Sequence, residues 1–311
     1  MTSIFWMIFQ VIIIALVAPF FDGIARVLRA RLQSRKGPPD FFQSYRDIIK
    51  LFKRGRTVPK CSHWVFRYGA YMLFGTGAAL LAVIPITYDS GTLAGYASDI
   101  FVVIYISAML RYIFGIASID SGNPFAGVGG SREQMIAVFV EPVMMTSLLV
   151  VMLLAQTSSL VEIQEMVRGG EIGYFMPAFA VASISFLWAM YVESGRNPYD
   201  LAEAEQELQE GVLGEYSGSD FGIAHAALIL KQFAMIGLFL VIFEPFVPFN
   251  ITMHPLLSLG LFVIEAGIFY VAAVFIDNFG ARYKLLSSFK TNATFALSVS
   301  VLSLALYILG V

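Results

Sequence analysis

The sequence predicts an all-α, polytopic membrane protein with about eight transmembrane helices and with the N-terminus and the C-terminus both outside. Three observations carry this. First, the 311 residues are 58% hydrophobic and only 14% charged, against roughly 45–50% apolar and about 25% charged in soluble domains. Second, eight stretches stay apolar for about the 20 residues that cross a hydrocarbon core: roughly 3–25, 69–88, 99–120, 135–155, 173–193, 223–247, 256–277 and 292–310. Third, the connections between them alternate in charge. Soluble proteins seldom bury so many helices that are apolar all round.

The first connection, Arg26 to Arg67, holds twelve Lys and Arg. The next, Tyr88 to Asp99, holds none, and 156–172 has only Arg168. The 248–255 connection also has none, whereas 278–291 has Arg282, Lys284 and Lys290. Basic residues favour cytoplasmic loops, so the first, third, fifth and seventh connections face the cytoplasm. An even number of spans then leaves both termini outside.

No linker or repeat divides the chain, which reads as one integral membrane domain, 1–311, with a basic loop (26–67) and an acidic loop (194–222). No positive segment precedes the first apolar stretch, unlike a cleaved signal peptide. The single Cys61 excludes an internal disulfide or a cysteine-ligated cluster. His63, His225 and His254 show no metal-ligand spacing. No metal site and no cofactor are expected on this chain, so any redox centre belongs to a partner.

Ionisable residues at membrane depth are costly and usually functional. At about 1.5 Å per residue, Glu141, Lys231, Arg111 and Glu265 fall in one layer. Static neutralising pairs and a proton-conducting network both fit that layer. Pro142 follows Glu141 and frees a backbone carbonyl one turn back, which suits a kinked, hydrated site or a simple bend.

In the acidic loop, Asp200 is placed to cap a short helix ending before Gly211. On that helix Asp200, Glu203, Glu207 and Glu210 share one face, and Leu201, Ala204, Leu208 and Val212 the other. Like charges at these spacings cost about 0.2–0.5 kcal/mol each. The row therefore needs facing cations, which the basic loop can supply, or retained protons. In the basic loop, Tyr45, Ile48, Ile49 and Phe52 line one helical face, with Arg46, Lys50, Lys53 and Arg54 opposite or flanking. That is an amphipathic helix at the bilayer interface, serving either lipid headgroups or a docked subunit.

Together these residues resemble a known family. The run Glu193, Arg196, Pro198-Tyr199-Asp200, Glu203, Glu205-Gln206-Glu207-Leu208 and Glu215-Tyr216-Ser217 is similar to the signature of the eight-helix heel subunit of respiratory complex I. The turn Arg35 to Pro38, the segment Asp47 to Lys53, Pro59, Arg132 and Glu141 fit as well. Ser118 to Phe125, Ser131-Arg132-Glu133, Glu141-Pro142, Glu207 to Gly211, Leu230-Lys231-Gln232, Asn278 and Ala281-Arg282 resemble the membrane anchor of group 4 membrane-bound [NiFe] hydrogenases, the formate hydrogenlyase and hydrogenase-4 type. Tyr199 in place of Phe, Arg196 in place of Lys and a longer turn after Gly37 depart from that pattern.

The resemblance implies a non-cofactor-bearing subunit of an oxidoreductase complex in the inner (cytoplasmic) membrane. Its partners would be hydrogenase large and small subunits with a Ni-Fe centre and iron–sulfur clusters, further iron–sulfur subunits and antiporter-like membrane subunits, with lipid but no nucleic acid. Expected proton-transfer residues are Glu141, Glu193, Asp200, Glu203, Glu205, Glu207, Glu210, Glu215, Lys231 and Glu265. Arg111, Arg132 and Arg196 would tune them, and Arg35, Lys36, Arg46, Asp47 and Lys50 would dock the peripheral arm. The alternatives are a quinone-site subunit of a complex I type NADH dehydrogenase and a passive anchor.

Overall fold

A computed structural model describes residues 2–87, 95, 97–202, 205–244 and 254–310. Those residues form helices: α1 (Thr2–Leu32), α2 (Gln43–Phe52), α3 (Trp64–Val83), α4 (Ile100–Asp120), α5 (Pro124–Ala155), α6 (Leu160–Gly169), α7 (Pro177–Glu193), α8 (Glu205–Leu208), α9 (Gly218–Phe243), α10 (Pro255–Phe279), α11 (Leu285–Thr291) and α12 (Leu297–Ile308). A π-turn, Asn292–Ala296, joins α11 to α12 without a break. Among the described residues, six helices are long and apolar enough to cross a membrane: Ile4–Leu32, α4, α5, α9, α10 and Leu285–Ile308. Of the other two expected spans, α7 has 17 residues, and α3 has 20, with Arg67 in its first turn.

Local chemistry sets the helix starts. Asp99 accepts from the Phe101 amide at 2.8 Å and caps α4. Asn123 accepts from Phe125 at 2.9 Å ahead of Pro124, and His254 caps α10 ahead of Pro255. Proline suits a first helical position because its missing N–H has no intrahelical partner there. Inside α5, Pro142 is accommodated, and the Thr146 hydroxyl donates to its carbonyl at 2.7 Å.

α9 lies at the centre and is buried on most sides. It packs against α1, α2, α3, α6, α7 and α10. α4 bridges α3 to α5, and α5, α7 and α12 form the far layer. Several helices run further than their apolar stretches predict. α5 begins at Pro124 rather than near 135, and α9 at Gly218 rather than 223. Charged residues were expected to mark loops, but they stay helical because partners meet them. Arg132 pairs with Glu207, Glu133 with Lys231, and Asp220 with Arg56.

The acidic loop differs most from expectation. Among the described residues it holds a helical turn, Glu205–Leu208, then a 3-10 turn at Gly211–Leu213. Gln209, Glu210 and Gly211 all take positive φ, at 49°, 69° and 53°, which ends any right-handed helix. Asp200 accepts from Arg282 at 2.7 Å. Leu201, Ala202, Leu208, Val212 and Leu213 are buried, which ties the loop to the bundle. Glu203 and Ala204 lie outside the described residues, as does the side chain of Glu205.

Candidate functional site: a buried chain of charges

Five charged side chains from four helices meet beneath the acidic loop. Arg111 (α4) pairs with Glu141 (α5) and, at 2.9 Å, with Glu193 at the end of α7. Lys231 (α9) lies 2.9 Å from the same Glu193 oxygen and 3.4 Å from Glu133 on α5. The order Glu133, Lys231, Glu193, Arg111, Glu141 alternates in sign from end to end. Glu193 at its centre is only 3% exposed, whereas Glu141 at one end is 32% exposed. Alternation is what makes such burial tolerable, because each charge has an opposite neighbour in place of water. Gln134 donates to the Arg111 carbonyl at 2.8 Å and holds that helix turn in place.

A second cluster flanks the first. Asp277 (α10) is fully buried and accepts from Arg29 at 2.7 Å, Arg196 at 3.3 Å and the Tyr191 hydroxyl at 3.0 Å. The Arg196 guanidinium lies 3.9 Å over the Tyr270 ring and donates to Gln232 at 3.2 Å. A third group joins α1, α2 and α9. Arg26 contacts Asp22 at 3.0 Å and Asp47 at 2.8 Å, and donates to His225 across 3.3 Å.

Two cavities lie beside the first and third groups. The inner one, about 110 Å³, is lined by Arg111, Glu133, Lys231, Gln232, Asp200 and Asp22 among others, with room for several waters. The outer cleft, about 390 Å³, lies between α2 and the acidic loop and is lined by Arg26, Asp47, Lys50, Arg54, Glu210 and Phe221 among others. Among the described residues no three His, Cys, Asp or Glu side chains come together to hold a metal ion.

The structure brings Arg111, Glu141, Glu193 and Lys231 together. Glu265 stands apart on α10, half-buried, where the nearest influences are the charges of Glu244 and Arg168. The acidic row is held piecemeal. Asp200 meets Arg282, Glu207 meets Arg132 at 2.7 Å, and Glu215 accepts from Asn123 at 2.8 Å. The cations that meet Glu207 and Asp200 thus come from α5 and from the loop after α10. Glu210 lines the outer cleft. Of the docking residues, Arg35, Lys36 and Lys50 are exposed and Arg46 pairs with Asp40, but Asp47 turns inward to Arg26 and Gln43. Sequence reasoning gave no role to Asp22, Arg26, Arg29, Glu133, His225 or Asp277. Asp22 and Arg26 do carry a signal: a helical i, i+4 charge pair at the inner end of an apolar span.

Tyr216 shows how the loop is seated. Its ring stacks on Phe66 with centroids 4.3 Å apart, and a Cβ added at Gly69 would lie 2.5 Å from its hydroxyl. That hydroxyl is buried without a hydrogen-bond partner. Burial pushes it well above the usual phenol range, and the charges of Asp220 and Asp120 push the same way.

A bundle of long apolar helices with a buried charge chain under an acidic loop defines a polytopic membrane protein. The family described as NADH dehydrogenase matches residues 5–308, and the chain belongs to that family. It is 37% identical over 243 residues to formate hydrogenlyase subunit 4 of Escherichia coli (strain K12), covering 78% of each chain. It is 40% identical over 237 residues to hydrogenase-4 component C of the same organism, covering 76% of this chain and 74% of the relative. To an NADH-quinone oxidoreductase subunit of Aquifex aeolicus (strain VF5) it is 30% identical over 224 residues, 66% of this chain and 65% of the relative. Its fold matches a chain in the structure of the membrane-bound sulfane sulfur reductase, an archaeal respiratory membrane complex. There the TM-score is 0.83 and the identity 20%, over 97% of this chain and 98% of that one.

Proposed function

We propose that this chain anchors a peripheral [NiFe] hydrogenase and iron–sulfur arm in the inner (cytoplasmic) membrane and couples its redox reaction to proton transfer. That reaction is proton reduction to hydrogen or its reverse. The observation that carries the reading is the alternating chain Glu133–Lys231–Glu193–Arg111–Glu141, buried beside a cavity large enough for water. Paired acids and bases beside water can relay protons. Glu141, the more exposed end, faces outward at membrane depth, where an antiporter-like subunit would complete the path. Arg132 and Arg196 tune the acids around them, and Asp200, Glu203, Glu205, Glu207, Glu210 and Glu215 form the surface under the docked arm. Arg35, Lys36, Arg46 and Lys50 are the exposed cations for docking. Asp47 serves instead to hold Arg26.

In this reading the chain crosses the membrane eight times with both termini outside. α3 and α7 supply the two crossings beyond the six longest; 17 residues of α7 span roughly 26 Å of a core about 30 Å thick. The Ni-Fe centre and the iron–sulfur clusters belong to the partners and supply the electron chemistry. The quinone-site alternative draws on the outer cleft, whose lining holds Phe221 against Arg26, Asp47, Lys50, Arg54 and Glu210. A charged lining of that kind favours water and protons over a quinone ring.

The test is Glu141→Gln and Glu207→Gln in the assembled complex, purified with its large and small subunits. Loss of proton transport per hydrogen formed supports the relay. Wild-type hydrogen evolution and transport in both variants contradict it, and dissociation of the arm favours a passive anchor.

A further inference from the structure

The inner cavity and the outer cleft share one lining residue, His225. It lies on α9, nearly two turns before Lys231, and its ring stacks on Phe221 at 6.2 Å with the planes 4° apart. The charged groups that face it are Asp22 and Arg26 on α1 and Asp47 on α2. Arg26 can only donate, so Nε2 of His225 accepts across 3.3 Å, and the ring is then neutral with its proton on Nδ1. Asp22 and Asp47 hold Arg26 on two further nitrogens, and Ser44 donates to Asp22 at 2.7 Å. The imidazole thus sits in an ordered setting between surface water and the cavity that reaches Glu133 and Lys231.

We propose that His225 is the proton gate between the outer cleft and the buried chain of charges. A proton gained on one ring nitrogen and released from the other crosses the ring with no net change of charge. The donor is water in one compartment and the acceptor is water or a carboxylate in the other, such as Asp22, which lines the inner cavity. Arg26 sets the readiness of the gate: to load Nε2 its third nitrogen must turn from the ring while Asp22 and Asp47 keep the other two. The inference rests on the relay reading above and assigns the entry point of that relay.

The experiment uses the assembled complex in inverted membrane vesicles, scored as protons moved per hydrogen formed. His225→Phe keeps an aromatic ring to stack on Phe221 but carries no proton; the ratio should fall at least tenfold. In His225→Ala, added imidazole should restore a measurable part of the ratio, and the restoration should follow the protonation of imidazole as pH varies. Unchanged coupling in His225→Phe, alongside loss in Glu193→Gln, overturns the gate and leaves the relay standing. Unchanged coupling in both overturns the relay itself. Loss in His225→Ala that imidazole does not relieve, in a complex of normal subunit content, overturns the gate in favour of a packing role.

Discussion

The alternation of signs makes a prediction that simple loss of a salt bridge does not. The five residues hold three acids and two bases. Removing the central acid by Glu193→Gln leaves two intact pairs, Glu133 with Lys231 and Arg111 with Glu141. Removing a base by Lys231→Met leaves Glu133 without its cation and Glu193 with Arg111 alone. Each 2.9 Å contact at Glu193 corresponds to about 6 kcal/mol of Coulomb attraction at an effective dielectric near 20. Desolvation offsets much of that, and breaking a buried pair costs about 3–5 kcal/mol. Lys231→Met should therefore lose about 3–5 kcal/mol, and Glu193→Gln only about 1–3 kcal/mol, the cost of imperfect hydrogen bonding at a buried neutral group. Reversible unfolding in mixed micelles, followed by tryptophan fluorescence, reads both. A Glu193→Gln loss equal to or larger than that of Lys231→Met would refute the role given to alternation.

Other consequences are equally direct. Asp277→Asn leaves Arg29 and Arg196 without their shared carboxylate and should cost about 3–5 kcal/mol in the same unfolding assay. Gly69→Ala should destabilise by about 1–3 kcal/mol because its Cβ meets the Tyr216 hydroxyl, and Tyr216→Phe in that background should recover part of the loss. Tyr216→Phe alone should cost no stability near neutral pH, since it removes a buried, unpartnered hydroxyl. It should also flatten an alkaline loss of stability. The folded phenol is raised above its ordinary value of 10.0, so its contribution is full below that pH and is lost as pH rises through the higher folded value. A stability profile of Tyr216→Phe that still falls with the wild-type profile above that pH would contradict this assignment.

The apolar spans were legible because lipid imposes their length and composition directly. Helix ends were not, because a charge ends an apolar run in sequence without ending the helix. Glu133 and Asp220 remain helical once Lys231 and Arg56 reach them, and those partners lie far away in the chain. The intramembrane layer was legible from depth, which put Arg111, Glu141 and Lys231 together. Glu265 lies apart from them, because depth says nothing of which way a helix turns its side chains. Glu207 and Glu210 read as one helical face, yet left-handed geometry at Gln209 and Glu210 sets Glu210 apart from that turn. His225 and Asp277 could not have been singled out from sequence, since their meaning comes from neighbours on α1, α2 and α7.

The central claim is that the chain of charges carries protons in step with the redox reaction of a docked arm. The most direct measurement is the number of protons moved per hydrogen formed by the assembled complex when Glu193, the link between Lys231 and Arg111, is changed to Gln. Hydrogen formation with an artificial electron donor should continue while proton movement falls at least tenfold. Proton movement at the wild-type ratio in Glu193→Gln would contradict the claim.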